Sequence, residues 1–203
     1  MWIKICGLTS PEAVSAALEH AVDALGFVFA ESVRRVTPAQ AAQLSRRARG
    51  RAPCVAVLRH PSQLLVDEVL AVFRPDVLQS DAADLATLRL PQGLALLPVL
   101  RAAPAAAGPL PPRLLFEGAS SGSGRTADWG TAHALARRTQ LVLAGGLNRG
   151  NVSAAIAAVH PFGVDVSSGV EEVPGVKSPA AIGDFVQAVR AAARALETTG
   201  DSL

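Results

Sequence analysis

The sequence predicts an α/β fold, a single-domain (β/α)8 TIM barrel over residues 1–203 with a short or degenerate fifth helix. Three observations predict it. Short β-branched or Leu-rich runs recur eight times, and several are apolar almost throughout, as strands covered on both faces must be. Segments with helical spacing lie between them and supply the crossovers that parallel strands need. Spread over eight strand-plus-helix units, 203 residues allow about 25 per unit, near the lower size bound of such a barrel and too few for a second domain.

Taken in order, Trp2 to Ile5 is the first strand, and Ser10-Pro11 opens the first helix with a capping hydroxyl and a proline whose missing N–H costs nothing there. Ala24 to Phe29 follows as the second strand, with Thr37-Pro38 opening its helix. Cys54 to Leu58 is the third, and Leu65, Val69 and Phe73 form the buried stripe of the helix behind it. Asp76 to Leu78 and Leu94 to Leu100 are the fourth and fifth strands. The stretch from Ala102 to Pro112, with four prolines and a glycine, is a loop or at most one helical turn. Leu114 to Phe116, Leu141 to Ala144 and Val164 to Val166 complete the set, separated by helices over Asp128 to Arg138 and Asn148 to Val159. Ser178-Pro179 opens the last helix, with Ile182, Phe185, Val186 and Val189 on one face, and the tail should fray after about residue 196. An open doubly wound sheet is the competing architecture, but no G-x-G-x-x-G follows the first strand.

Composition narrows the function classes. Half the residues are hydrophobic and 18% are charged, which supports a core and excludes a disorder-like chain. A net charge of +2, from 19 basic and 17 acidic residues, does not mark a nucleic-acid binder, and with no Tyr and two Trp a base-stacking platform is not expected. No apolar run approaches the roughly 20 residues of a membrane span. The start does not read as a signal peptide, so the expected location is cytoplasmic, with Cys6 and Cys54 as free thiols. The four histidines show no ligand spacing, and no metal is expected.

In a (β/α)8 barrel the chemistry sits at the C-terminal ends of the strands. There this sequence places Cys6-Gly7 after the first strand, Arg34-Arg35 after the second, Gln79 at the end of the fourth and Asp128 at the end of the sixth loop. Gly145-Gly146 follow the seventh strand, and Ser167-Ser168-Gly169 the eighth. Glycines and serines after strands seven and eight suit a phosphate, through backbone N–H groups and hydroxyl donors, although the glycines also suit tight turns. Cys6 is either a base or an inert buried thiol. Asp128 equally suits a helix N-cap. Arg34 and Arg35 fit a solvated pair, and Asp165 a loop-orienting carboxylate.

Several segments carry a resemblance. Lys4-Ile5-Cys6-Gly7-Leu8, Ser32-Val33-Arg34, Gly122-Ser123-Gly124-Arg125-Thr126-Ala127-Asp128-Trp129, Leu143-Ala144-Gly145-Gly146-Leu147 with Asn151-Val152, and Gly163 through Glu171 occur in this order over nearly the whole chain. Together they make it similar to the phosphoribosylanthranilate isomerases of tryptophan biosynthesis. The resemblance implies an aldose–ketose isomerase that needs no cofactor. Its reaction is the Amadori rearrangement of N-(5-phosphoribosyl)anthranilate to 1-(2-carboxyphenylamino)-1-deoxyribulose 5-phosphate. It implies that Asp128 is the general acid at the ring oxygen and that Cys6 as thiolate removes the C2 proton. To be protonated when needed, Asp128 should have a raised pKa, which a partly desolvated barrel mouth beside a substrate phosphate would favour. Arg34 would pair with the anthranilate carboxylate, Asp165 would face its amino group, and Gln79 would line the substrate pocket. Gly145, Gly146, Ser167, Ser168 and Gly169 would hold the phosphate. The partner is thus a phosphorylated small molecule, with no nucleic acid or membrane, and the protein is a monomer or a homodimer. The chain departs from the family at Val33 and Arg35, where a Pro and an aromatic are usual. It also carries Ser80-Asp81-Ala82 for Leu-His-Gly and Ala127 for Phe. A related isomerase of histidine biosynthesis, with aspartates as acid and base, is the enzyme alternative, and Cys6 at the first catalytic position separates the two. A non-catalytic barrel acting as a partner subunit would instead be expected to have a damaged Cys6 or Asp128.

Overall fold

A computed structural model describes residues 1–102, 108–118 and 127–200. Eight parallel strands close into a barrel in sequence order: β1 (Trp2–Cys6), β2 (Ala24–Val28), β3 (Cys54–Val57), β4 (Val77–Asp81), β5 (Ala95–Leu100), β6 (Arg113–Phe116), β7 (Gln140–Leu143) and β8 (Gly163–Val166), with β8 pairing back to β1. Around it lie α1 (Pro11–Glu19), α2 (Pro38–Leu44) followed by a 3-10 turn at Ser45–Arg47, α3 (Gln63–Val72), α4 (Ala82–Leu85), α5 (Trp129–Ala136), α6 (Val152–Val159) and α7 (Pro179–Gly200).

Strand alternation sorts the side chains into two cores. Ile3, Ile5, Leu25, Phe27, Leu114, Leu141, Val164 and their neighbours face outward into a layer sealed by the helices, where Phe27 and Phe29 meet Phe73 beyond α3 with ring centroids 5.3 and 5.4 Å away. Ile182, Phe185, Val186 and Val189 of α7 are fully buried there, each removal from water being favourable by about 1.5–3 kcal/mol. Inside the barrel a smaller cluster of Leu97, Val99, Leu115, Val142 and Ala144 packs with Trp2, Val77 and Phe162. Arg113 closes the bottom, its guanidinium 5.7 Å from the Trp2 ring and 4.4 Å from that of Phe162. The upper interior is therefore left to polar groups.

The helix starts follow the cap chemistry. Ser10 accepts from Ala13 N, Thr37 forms a capping box with Gln40, and Ser178 Oγ accepts from Ala181 N at 3.3 Å. Four features differ from expectation. β4 extends to Asp81 because β5 continues to pair with it as far as Asp81↔Val99. α6 starts at Val152, since Asn148 instead turns the chain, its N–H donating to Asn151 Oδ1 at 2.8 Å. α7 runs to Gly200, past the expected fraying point, with Thr198 Oγ1 bonded to the Ala195 carbonyl. A two-stranded hairpin, β9 (Glu171–Val173) with β10 (Val176–Lys177), stands in the loop after β8 without having been anticipated, because its strands are too short to show alternation. No helix lies between β5 and β6 among the described residues, while residues 103–107 of the proline-rich loop fall outside them. Among the described residues no helix is long and apolar enough to cross a membrane.

Candidate active site

The polar interior begins with the register of β1. Trp2, Lys4 and Cys6 alternate inward, and Lys4 lies opposite Asp165 of β8, so its ammonium meets Asp165 Oδ1 at 2.9 Å with both groups buried. One layer higher Cys6 pairs with Gly26 of β2. A Cβ at Gly26 would stand 3.1 Å from Cys6 Cα, from Cys6 Sγ and from Lys4 Cε, so the missing side chain is the space that the thiol and the lysine occupy. Burial pushes the Cys6 thiol above its ordinary pKa. Lys4 opposes this by charge and by hydrogen bonding, and Lys177 by charge. Burial disfavours the Lys4 ammonium, but Asp165 and Cys6 outweigh it and hold the group protonated. Burial raises Asp165 as well, and Lys4 offsets part of that rise.

Cys6 and Asp165 form part of the floor of a cavity of about 200 Å³ at the C-terminal end of the barrel, with Lys4 fully buried behind them. Cys6, Arg34, Gln79, Gly145, Gly146, Asp165, Ser167 and Ser168 all line it, so the fold brings together eight of the ten positions read from the sequence. Gln79 is buried, and its Oε1 has no hydrogen-bond partner among the described residues. Gly145, at φ +89°, needs more than conformational freedom, for a Cβ there would lie 3.2 Å from Gly118 N and 3.5 Å from Ala127 N. A substitution at Gly145 thus disturbs the packing of the β6 and β7 loops as well as any phosphate. Gly169 does not line the cavity. It bridges to Asn148, and a Cβ on it would stand 1.9 Å from the Leu147 carbonyl oxygen, which accounts for the glycine by close backbone approach.

Asp128 is also outside the lining. It is exposed and N-caps α5, accepting from Gly130 N at 3.0 Å and from Thr131 Oγ1 at 2.7 Å. The bonds from Thr131 and Gly130 hold its carboxyl below the usual carboxylate range, which corrects the expected raised pKa: donors at a helix start favour the charged form, and they outweigh the slight desolvation of this exposed group. Ala127, the residue before it, abuts Gly145 at the rim. The preceding motif residues 122–126 lie outside the described residues.

Arg34 is not a solvated side chain. Its Nε and Nη2 fork onto Glu171 Oε1 and Oε2 at 2.6 and 2.8 Å. Lys177 Nζ joins Glu171 Oε1 at 2.7 Å and also donates to the Ser167 carbonyl at 3.0 Å and to Ser167 Oγ at 3.2 Å. Ser167 Oγ in turn donates to the Cys6 carbonyl at 3.0 Å. Burial resists ionisation of Glu171, but Arg34 and Lys177 bring its pKa down to about 2. Across the mouth Arg101 meets Asp81 at 2.9 Å and Glu117 at 3.0 Å. His60, Asp81 and Asp84 also converge there, their ligand-type atoms within 4.8 Å of one another, a grouping that no sequence spacing revealed. Its members already bond within the protein: Asp81 to Arg101, and Asp84 to Ser80 Oγ and to His60.

Sequence reasoning assigned no role to Lys4, Gly26, Glu171, Lys177, Arg101 or Glu117. A lysine inside a strand covered on both faces, and a glycine inside the next one, were the available signals for the first two.

A family model described as N-(5'phosphoribosyl)anthranilate (PRA) isomerase matches residues 3–188, which include every one of these positions. The chain belongs to the phosphoribosylanthranilate isomerase family. Among curated relatives, the N-(5'-phosphoribosyl)anthranilate isomerase of Mesorhizobium japonicum is 37% identical over 94% of this chain and 95% of its own. Among solved structures, TrpF from Jonesia denitrificans has a TM-score of 0.75 at 36% identity, covering 95% of this chain and 98% of that one. A phosphoribosyl anthranilate isomerase in complex with reduced 1-(o-carboxyphenylamino)-1-deoxyribulose 5-phosphate has a TM-score of 0.76 at 26% identity, covering 94% and 99%.

Proposed function

We propose that this member of the phosphoribosylanthranilate isomerase family converts N-(5-phosphoribosyl)anthranilate to 1-(2-carboxyphenylamino)-1-deoxyribulose 5-phosphate in tryptophan biosynthesis, with Cys6 as base and Asp128 as acid. The observation that carries the reading is one cavity holding a buried thiol beside a buried ammonium, an arginine at one side, and a glycine and serine rim at the ends of β7 and β8. Protonation of the furanose oxygen by Asp128 opens the ring to a protonated Schiff base. The Cys6 thiolate then takes the C2 proton, and the enolamine relaxes to the ketone. Lys4 and the positive charge of the Schiff base both favour the thiolate, against the burial that opposes it. Arg34 receives the anthranilate carboxylate, Asp165 faces the amino group, and Gln79 offers its unpartnered Oε1 to the substrate. Gly145, Gly146, Ser167 and Ser168 bind the phosphate, with Gly169 setting the shape of that rim.

In the acid role Asp128 leaves its cap bonds with Gly130 and Thr131 when substrate arrives. Asp165 is the second candidate for the acid, favoured by its place in the cavity and by the burial that raises its proton affinity. The reading carries with it a cytoplasmic location and a monomer or homodimer. Its test is the loss of fluorescence of enzymatically generated phosphoribosylanthranilate on adding the pure protein, and the same assay on Cys6→Ser. Turnover should fall by orders of magnitude in the variant while a product analogue still binds. A Cys6→Ser protein keeping a tenth of wild-type turnover would sink the assignment of the base.

A further inference from the structure

The geometry points to Glu171 as a positioning residue: its fork onto Arg34 turns the free end of the guanidinium into the receptor for the substrate carboxylate. This inference rests on the proposed role of Arg34 and adds what sets that role. A guanidinium is planar and offers five N–H groups. Glu171 takes the Nε and Nη2 side, at 2.6 and 2.8 Å. The remaining edge, made of Nη1 and the second N–H of Nη2, has the spacing for a second bidentate carboxylate, and Arg34 lines the cavity. A long side chain that is already fixed loses little further freedom when it binds a ligand.

The surrounding charges favour the same division of labour. Lys177 has three N–H donors, and they find three acceptors in Ser167 O, Ser167 Oγ and Glu171 Oε1, so its role is to hold Glu171 rather than to reach the ligand. Two cations and one carboxylate leave the cluster one positive charge, matched to a carboxylate with a single negative charge. The hairpin makes this arrangement by register, since Glu171 of β9 lies opposite Lys177 of β10. Its base is anchored by the buried Val170, whose carbonyl accepts from Ser178 N at 2.9 Å. Short as it is, the hairpin places an anion beside the one arginine that the carboxylate needs and ties both to the Ser167 rim.

The test uses two ligands and the full chain. One is the reduced product analogue, N-(2-carboxyphenyl)-1-amino-1-deoxypentitol 5-phosphate, and the other is the same compound with phenyl in place of carboxyphenyl. Wild type should prefer the first by about tenfold or more, the scale of a charge-assisted hydrogen-bonded contact. Glu171→Gln should lose most of that preference while binding the phenyl compound within about twofold of wild type, and KM should rise more than kcat falls. Glu171→Asp keeps a charge for Lys177 but withdraws the fork by one methylene, and it should lose the preference too. Equal weakening toward both ligands would mean that Glu171 only supports the phosphate rim, and an unchanged preference in either variant would mean that the fork does not orient Arg34. Each result overturns the inference. Arg34→Met separates it from the reading beneath: if that variant keeps the carboxylate preference, the role of Arg34 itself is wrong.

Discussion

Replacing Gly26 with alanine adds one methyl group beside the Cys6 thiol. The backbone accepts it, since Gly26 is not among the residues with positive φ. The new carbon would stand 3.1 Å from Cys6 Cα, Cys6 Sγ and Lys4 Cε, where comfortable carbon contacts are about 3.5–4.0 Å. Roughly half an ångström must be found. Strand pairing pins the Cys6 backbone, so the displacement falls on the thiol and on the lysine that supports it. Overpacking of this kind costs about 1–3 kcal/mol. At about 2–4 °C per kcal/mol for a chain of this size, Tm should fall by roughly 2–12 °C. A misplacement of about 1 Å at a reacting group can cost about a hundredfold, so half of that should lower kcat about tenfold, with KM little changed. Fluorescence-monitored turnover gives kcat and KM, a thermal melt gives stability, and the rate of Cys6 alkylation against pH reports the thiol directly. A variant that keeps at least half of wild-type kcat, with an unaltered alkylation profile, would refute the reasoning, because the thiol would then not be working from the place where the fold holds it.

The remaining predictions concern titrating groups. Asp128→Asn should keep Tm within a few degrees, because Asn caps α5 about as well as Asp, and should lower turnover about a hundredfold if Asp128 is the acid. Should activity survive in that protein, Asp165→Asn becomes the decisive variant; it should also lose about 3–5 kcal/mol of stability in a denaturant melt by leaving Lys4 buried without its partner. Burial raises the Cys54 thiol to about 11. Its stabilising contribution is therefore complete below the unfolded thiol value and is lost as pH rises from about 9 to 11, and Cys54→Ala should flatten that part of the stability profile without altering chemistry. Glu171 sits at about 2 in the folded state, so its contribution is complete above the unfolded value of about 4.3 and disappears as pH falls toward 2. Acid unfolding of Glu171→Gln should lack that component, and an unchanged acid limb would contradict the Arg34–Glu171–Lys177 cluster.

The eight strands, the capped helix starts and the mouth at which chemistry collects were legible in the sequence because each depends on local rules. Strands buried on both faces are apolar runs, a hydroxyl before proline opens a helix, and in this fold strand ends converge. The cysteine, the arginine and the glycine and serine rim could thus be named one by one. Their partners could not. Lys4 meets Asp165 across 161 positions of chain, and Arg34 meets Glu171 across 137. Only barrel closure and strand register set those distances. The upward shift in the pKa of Cys6 and of Asp165 follows from burial, which no residue carries in its own identity, and the exposure of Asp128 follows from where α5 happens to start. Sequence by itself determined which groups are available and on which strand ends they sit. Tertiary structure decided which charges neutralise one another, because electrostatic energy depends on separation and on access to water, and both exist only once the barrel has closed.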